Sequence, residues 1–450
     1  MAQGVRVARV AIKGLYGLYD HEITLKHDER VTILHGPNGV GKSVLLRLIA
    51  SYFNGQFQEF THLPFSIFEM DLTDGSSVSI TYNDSPKGAS TRGALEFRIS
   101  NGASPISFEM PVTVASDRVA TQIERSSPFL SKVGDGLFID MRSSQRLTSE
   151  EVIERYGSNA EISAASVISF DQEPNVAKQM RGKISVQFVE TQRLLRIPPD
   201  SRFQESYYRG ERKLMVATVK AYSEDLIRQI GRTLSKYATE SQKRDQTFPQ
   251  RLIYSQASQL GVEELKDRLQ KLDERQTNLN TLGLVDKVSY PVPPSEIDSL
   301  DEIKRSVMAL YVQDTEEKLE VLSELASRIS LLVGSLNGKF RNKTLTVSRD
   351  RGLQVTDALK KVVPLDALSS GEQHELVLWY DLLFRVESNS LVLIDEPELS
   401  LHVVWQKKFL PELLETAKTV PFDAIVATHS PFIIGDRLDL AVPLDADVDQ

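Results

Sequence analysis

Four short stretches carry residues whose types and spacing suit one chemistry, the handling of a polyphosphate. His35-Gly36-Pro37-Asn38-Gly39-Val40-Gly41-Lys42-Ser43 fits G-x-x-x-x-G-K-[ST] at every fixed position. In such a loop the glycines let backbone N–H groups wrap the phosphates. The N-terminus of the helix that follows the loop adds a partial positive charge. Lys42 is then placed to reach the β/γ-phosphates, and the Ser43 hydroxyl to ligate Mg²⁺. A second stretch, Asp395-Glu396-Pro397-Glu398, offers one carboxylate to hold Mg²⁺ and a second, Glu396, to orient or deprotonate water. In Thr428-His429-Ser430-Pro431, His429 is suited to contact a γ-phosphate. Finally, Ser369-Ser370-Gly371-Glu372-Gln373 presents hydroxyl and amide donors to an anion at a helix start.

These residues need strands and helices that hold them in place, and the flanking patterns supply both. Val31–Leu34 reads as a buried strand before the phosphate loop, and Val44–Ile49 as a helix after it. Leu391-Val392-Leu393-Ile394 is a buried strand that runs into Asp395, and Ala424-Ile425-Val426-Ala427 one that runs towards His429. A helix is expected from His374 to Val386. Ahead of the loop, Val5–Ile12 and His21–Leu25 read as strands. Behind it, Phe65–Leu72, Val78–Tyr82, Leu95–Ile99 and Ile106–Val112 suggest an antiparallel layer, with turns at Thr73-Asp74-Gly75 and Asn83-Asp84-Ser85. Ile184–Val189 is a further strand, followed by Glu190-Thr191-Gln192-Arg193-Leu194.

Residues 203–340 differ in texture, being rich in Glu, Lys, Arg, Gln and Leu at helical spacing. Val219, Tyr222, Leu226, Ile230 and Leu234 form one stripe, and Val262, Leu265, Leu269 and Leu272 another. Leu322, Leu325, Ile329, Leu332 and Leu336 form a third, heptad-like stripe. A helical hairpin or small bundle accommodates them, with a break at the proline-rich 288–294. Residues 201–250 hold ten Lys/Arg against six Asp/Glu. This reads as a solvated helix face or as a basic groove for nucleic acid or an acidic partner. Tyr16 or Tyr19 could stack on a nucleobase, and core packing is the competing use.

Composition bounds the rest. The chain has 450 residues, 41% hydrophobic and 26% charged, the profile of a soluble globular protein, with a net charge of −9 that argues against a broadly nucleic-acid-coating surface. No apolar run approaches a membrane span, and Met1–Arg6 lacks the apolar core of a signal peptide, so a cytoplasmic protein is expected. The absence of cysteine removes disulfides, thiolate zinc sites and cysteine nucleophiles. The acidic 445–449 segment reads as an exposed tail.

The motifs, in this order, resemble the ABC-type ATPase family. Gly36–Ser43 matches Walker A, Gln192 the glutamine loop, Ser369–Gln373 the signature, Leu391–Glu396 Walker B, Glu398–His402 the D-loop and His429 the switch histidine. The resemblance implies ATP and Mg²⁺ as ligands. Gly36, Pro37, Asn38, Gly39, Val40, Gly41, Lys42, Ser43, Val44, Ser370, Gly371 and Glu372 would contact the nucleotide, and Ser43, Gln192 and Asp395 would sit on the metal side. Glu396, His429 and Lys42 would be catalytic. It also implies a homo-oligomer of at least two heads, the signature of one capping the γ-phosphate on the other.

Within the family, Gly-Pro-Asn-Gly, SSGEQ and Asp-Glu-Pro-Glu-x-Ser-Leu-His resemble the RecF/SMC/OLD branch. There is no Cys-x-x-Cys for a zinc hook, and the 21 residues after His429 leave no room for a TOPRIM nuclease domain. The Thr-Gln-Arg-Leu and His-Ser-Pro-Phe-Ile-Ile-Gly-Asp runs resemble the ATPases of the PARIS and then the Septu anti-phage systems. The expected architecture is an α/β P-loop head, a mixed sheet with an antiparallel layer, interrupted by helices. Residues 1–202 and 341–450 would form the head and 203–340 the insertion. The expected function is an ATPase sensor or scaffold that holds an effector nuclease encoded nearby. In that reading nucleic acid is not required and no membrane is involved. The alternative is a RecF-like ATPase acting directly on DNA.

Overall fold

The computed structural model describes residues 4–57, 59–84, 91–101, 105–114, 173–190, 211–254, 260–286 and 300–444, together with 297–298 and short pieces between 120 and 168. Gln192, the 288–294 break and the acidic 445–449 segment lie outside the described residues.

Along the chain the strands are β1 (Val7–Leu15), β2 (Tyr19–Thr24), β3 (Val31–His35), β4 (Ile67–Leu72), β5 (Ser77–Asp84), β6 (Thr91–Ser100), β7 (Ile106–Val114), β8 (Leu130–Gly134), β9 (Leu137–Asp140), β10 (Gln145–Thr148), β11 (Ser166–Ile168), β12 (Val186–Glu190), β13 (Lys343–Ser348), β14 (Gly352–Asp357), β15 (Val362–Val363), β16 (Leu391–Asp395), β17 (Asp423–Thr428) and β18 (Ala441–Pro443). The longer helices are α1 (Lys42–Asn54), α2 (Asn175–Arg181), α3 (Glu211–Tyr254), α4 (Val262–Thr281), α5 (Glu302–Asn337), α6 (Ser370–Tyr380) and α7 (Val403–Thr419).

Two compact units divide these elements. The first takes residues 1–191, 387–398 and 421–450. It is of the α/β class and holds a five-stranded parallel sheet in the order β12-β16-β17-β3-β18 and a seven-stranded antiparallel sheet in the order β11-β7-β6-β5-β4-β1-β2. The central strands β3, β16 and β17 are mostly Val, Ile, Leu and Ala because both their faces are covered; β17 is buried at every position. Helix α1 packs on β12, β16 and β17. It is buried on nearly every face, through Val44, Leu45, Leu46, Leu48, Ile49, Tyr52 and Phe53. One hydrophobic core joins α1 to both sheets, with Phe57, Phe60, Phe68 and Phe97 meeting edge to face or tilted. A three-stranded sheet, β10-β9-β8, has its own small core around Phe138 and Leu147.

The second unit takes residues 192–386 and 399–420. Residues 341–386 and 399–420 therefore group with the helical segment and not with the parallel sheet. The reason lies in packing: α6 lies on α3 and α5, and α7 on α5. Lys339, just past α5, is fully buried between Glu375 of α6 and Glu412 of α7, its amine 2.6 Å from the latter. Tyr222 of α3 stacks on Tyr380 at 4.5 Å, and each hydroxyl donates to an aspartate, Tyr222 to Asp381 at 2.6 Å and Tyr380 to Asp225 at 2.8 Å.

The expected apolar stripes are the buried faces: Val219, Tyr222, Leu226 and Ile230 on α3, Leu265, Leu269 and Leu272 on α4, and Leu322, Leu325, Ile329, Leu332 and Leu336 on α5. Helices α3 and α4 each pack against α5, which makes a small bundle. Three of the ten basic residues of 201–250 are paired locally. Arg244 pairs with Glu240 and Glu317, Arg228 with Asp225, and Lys220 with Asp366. Just beyond, Arg251 donates to the buried Asp314 at 2.6 Å.

The helix expected from His374 to Val386 is two structures. The α-helix ends at Tyr380 and a π-helical turn covers Asp381–Arg385. Arg328 of α5 donates to the Leu383 carbonyl at 2.9 Å, which satisfies one of the carbonyls left without an intrahelical partner at this helix end.

Candidate nucleotide-binding site

Parallel pairing brings the motifs of the first unit together. Asp395 at the end of β16 lies beside Ala427 of β17, and Thr428 beside His35 of β3. The phosphate loop, the paired carboxylates and His429 thus leave adjacent strands at one edge, the carboxyl end of a parallel sheet, where α/β proteins hold ligands.

The loop turns through Gly39 (φ 86°) and Gly41 (φ 100°), both in the left-handed region. Gly41 is the residue before α1, and no side chain caps that helix. The first-turn N–H groups of Lys42, Ser43 and Val44 have no intrahelical acceptor, so they can serve an anion. Val40 and Val44 have buried side chains, so only their backbone can face a ligand. The Lys42 amine donates to the carbonyls of Gly36 and Pro37, at 2.8 Å each. Burial pulls this ammonium below the ordinary lysine range; the carboxylates of Glu396, Glu398 and Asp395 oppose that without cancelling it.

The Ser43 hydroxyl donates to Asp395 Oδ1 at 2.8 Å. A hydroxyl and a carboxylate side by side are hard oxygen donors of the kind Mg²⁺ takes, one or two from the protein and the rest from phosphate and water. Among the described residues no cluster of three or more His, Cys, Asp or Glu side chains is placed to hold a metal without such partners.

Glu396 adopts φ 44°, a strained conformation for a non-glycine residue, and its N–H donates to the Ala427 carbonyl at 2.8 Å. That bond ties the carboxylate turn to β17. His429 Nδ1 stands 3.9 Å from Glu396 and 3.0 Å from Glu398.

Two residues not foreseen as site residues turn out to organise this edge. Glu398 is 7% exposed, and its Oε1 accepts from the Thr428 hydroxyl (2.6 Å), His429 N (2.8 Å) and Ser430 N (3.1 Å). It therefore fixes the turn that presents the histidine. His21 on β2, equally buried, bonds the Val40 carbonyl at 2.7 Å. Glu398 lies inside the D-loop match without a role of its own, and the sequence signal for His21 is only a polar residue beside a buried run.

The signature stretch belongs to the second unit. Ser369 caps α6 in a reciprocal box: Glu372 accepts from Ser369 N at 2.8 Å and from its hydroxyl at 2.9 Å, while Glu372 N donates back at 3.4 Å. Lys343 donates to both oxygens of the same carboxylate, at 3.0 and 2.7 Å. Burial pushes the Glu372 carboxyl up, but the bonds from Lys343 and Ser369 outweigh it and hold the carboxyl below its usual range. Glu372 thus faces inward and positions Ser369, whereas Ser370 is exposed and Gly371 half-buried at the helix start.

Residues 231–435 match a family model described as "AAA domain, putative AbiEii toxin, Type IV TA system". The stretch resembles an ATPase domain. It takes in Ser370, Asp395, Glu396 and His429 but not the phosphate loop. The chain is also 39% identical over 75 residues to the "Retron Ec83 probable ATPase" of Escherichia coli, which amounts to 14% of this chain and 14% of that protein. It thus spans a small part of the length of that curated relative. Among solved structures, it is similar to the Smc head domain with an extended coiled coil from Pyrococcus furiosus, at 13% identity over 96% of this chain and 91% of the other, with a TM-score of 0.34. The SMC head domain from Thermotoga maritima gives 11% identity over 97% and 92%, with a TM-score of 0.30. Among the described residues no helix is long and apolar enough to cross a membrane.

Proposed function

We propose that this chain binds ATP with Mg²⁺ at the phosphate loop and hydrolyses it to ADP and phosphate. The observation that carries the reading is the hydrogen bond between Ser43 and Asp395. It joins two motifs 352 residues apart into one oxygen donor set beside an uncapped helix N-terminus. Bound Mg²⁺ would neutralise charge on the β- and γ-phosphates, with Ser43 and Asp395 supplying its protein oxygens and Gln192 a further contact. Lys42 and the first-turn amides hold the phosphates. Glu396 orients and deprotonates the attacking water, and His429, set by Glu398, contacts the γ-phosphate.

In the fuller reading two copies share each site, with Ser370 and Gly371 of one opposite the phosphate loop of the other. The assembly acts as a sensor or scaffold that holds an effector nuclease encoded nearby and releases or activates it on an ATP-dependent change, as in an anti-phage system of the PARIS or Septu kind. The likeness to an ATPase described with a retron and to a domain described with a toxin–antitoxin system supports this over a RecF-like protein acting directly on DNA. A steep fall of DNA affinity with salt would favour the RecF-like reading.

Lys42→Ala is expected to abolish ATP binding, and Glu396→Gln to keep binding but stop hydrolysis. Nucleotide titration and phosphate release check both. Unchanged affinity in the first variant or normal turnover in the second overturns the assignment.

A further inference from the structure

We infer that His21 is a positioning residue that sets the orientation of the Val40–Gly41 peptide, so that the Gly41 N–H faces the polyphosphate. The inference rests on the proposed nucleotide site and adds a residue outside its motifs. His21 is 4% exposed and Val40 is 1% exposed. The Val40 carbonyl must therefore find a donor within the protein, and the imidazole Nε2 stands 2.7 Å from it. Because a carbonyl only accepts, this nitrogen carries the proton.

The ring is itself held. It stacks on Tyr19 at 5.8 Å and 12°, and His21 pairs with Ile12 across the β1–β2 hairpin. Leu15 of the same hairpin presses on the next residue, since a Cβ on Gly41 would lie 2.5 Å from its Cδ2 and 3.9 Å from His21 Nε2. The hairpin is thus the seat of the loop, apolar at Leu15 and polar at His21.

The consequence follows from peptide geometry. In a trans peptide C=O and N–H point in opposite directions. With the Val40 oxygen anchored on His21, the Gly41 N–H is directed away from the hairpin. Glycine at φ 100° tolerates rotation of the adjoining peptide at little steric cost, so the backbone alone does not lock this orientation. Without the donor the peptide is free to turn over. An acceptor would then replace a donor in front of the phosphates. The loss would exceed that of a single neutral hydrogen bond.

His21→Phe keeps a buried ring but removes the donor, while His21→Gln keeps an amide donor near the position of Nε2. Titration with Mg-ATP is expected to show about ten-fold weaker binding for His21→Phe and recovery to within about three-fold in His21→Gln. Without nucleotide, His21→Phe should also melt below His21→Gln, because it leaves a buried peptide group without a partner. Equal affinity in His21→Phe and the unsubstituted protein, or equal weakness in the Phe and Gln variants, overturns the inference. Should His21→Phe fail to fold, His21→Asn, whose shorter amide falls short of Val40, takes its place against His21→Gln under the same two criteria. Failure of the unsubstituted protein to bind ATP overturns the proposed function and the inference together. ATP binding that is lost in Lys42→Ala but indifferent to residue 21 overturns the inference alone.

Discussion

Removing the Glu398 carboxylate should damage both the stability of the first unit and the chemistry at its edge. Glu398 Oε1 takes three hydrogen bonds between 2.6 and 3.1 Å, from Thr428, His429 and Ser430, and His429 Nδ1 stands 3.0 Å away. Thr428 is 0% and Ser430 6% exposed, so water cannot readily replace the lost acceptor. Bonds to a charged group contribute about 1.5–3 kcal/mol each but do not add when they share one oxygen. Glu398→Ala leaves three neutral donors without their acceptor and is therefore expected to cost about 2–4 kcal/mol. Glu398→Gln keeps one carbonyl acceptor and should cost about 1–2 kcal/mol.

Urea unfolding read by circular dichroism gives the stability, and phosphate release under saturating Mg-ATP gives the rate. Both variants should lose turnover more than ATP affinity, because the group displaced is His429 and the phosphate loop is left intact. A Glu398→Ala protein that unfolds at the original midpoint and hydrolyses ATP at the original rate would refute the role assigned to this carboxylate. A matching Thr428→Val variant serves as the control. If Thr428 acts through Glu398, the double variant should cost much less than the sum of the two singles.

Two further expectations come from geometry and charge. Gly41→Ala and Gly39→Ala both place an alanine at positive φ, but only at Gly41 does the new Cβ meet a neighbour, Leu15. Gly39→Ala should cost about 1–2 kcal/mol and Gly41→Ala about 1 kcal/mol more, in denaturant unfolding without nucleotide. Burial raises the Asp74 carboxyl, but the bonds from Lys183 at 2.6 Å and from Ser76 more than reverse this and hold it at about 2. A carboxyl lowered in the folded state stabilises above its unfolded pKa and loses that contribution as pH falls through the folded value. Asp74→Asn should therefore cost about 1 kcal/mol at neutral pH, after allowance for solvent screening, and only a small part of that by pH 2. The pH dependence of the unfolding midpoint between 6 and 2 checks it.

How legible these features were depended on the range of the interaction that creates them. Strand, loop and helix around Gly36–Ser43 are local, so alternation and glycine spacing were enough to place β3 and α1. The end of β16 at Asp395 was legible for the same reason, since a run of Leu, Val, Leu and Ile gives way abruptly to carboxylates. By contrast, Glu398 and His21 owe their roles to partners on other elements, and nothing in their neighbourhoods encodes the Thr428–Ser430 turn or the Val40 carbonyl. Glu372 illustrates the same dependence on distant partners. Its motif suggested a ligand contact, while Lys343, 29 residues earlier, draws the carboxylate inward. The division of the chain escaped a reading in consecutive blocks because α6 and α7 follow their packing partners, not their neighbours in sequence.

The strand order of the parallel sheet also sets a timetable for the molecule. β3 lies between β17 and β18, strands that begin at Asp423 and Ala441, so its backbone finds its partners only after some 390 further residues. Closing loops of that length is slow, because the entropy is lost before any pairing energy is gained. During synthesis the phosphate loop leaves the ribosome early and waits, attached to an unpaired strand, until the last parallel strands are made. Protection of Lys42 or Ser43 by nucleotide would then appear late and abruptly in a refolding or translation time course. Nucleotide binding in this architecture reports that the sheet is complete.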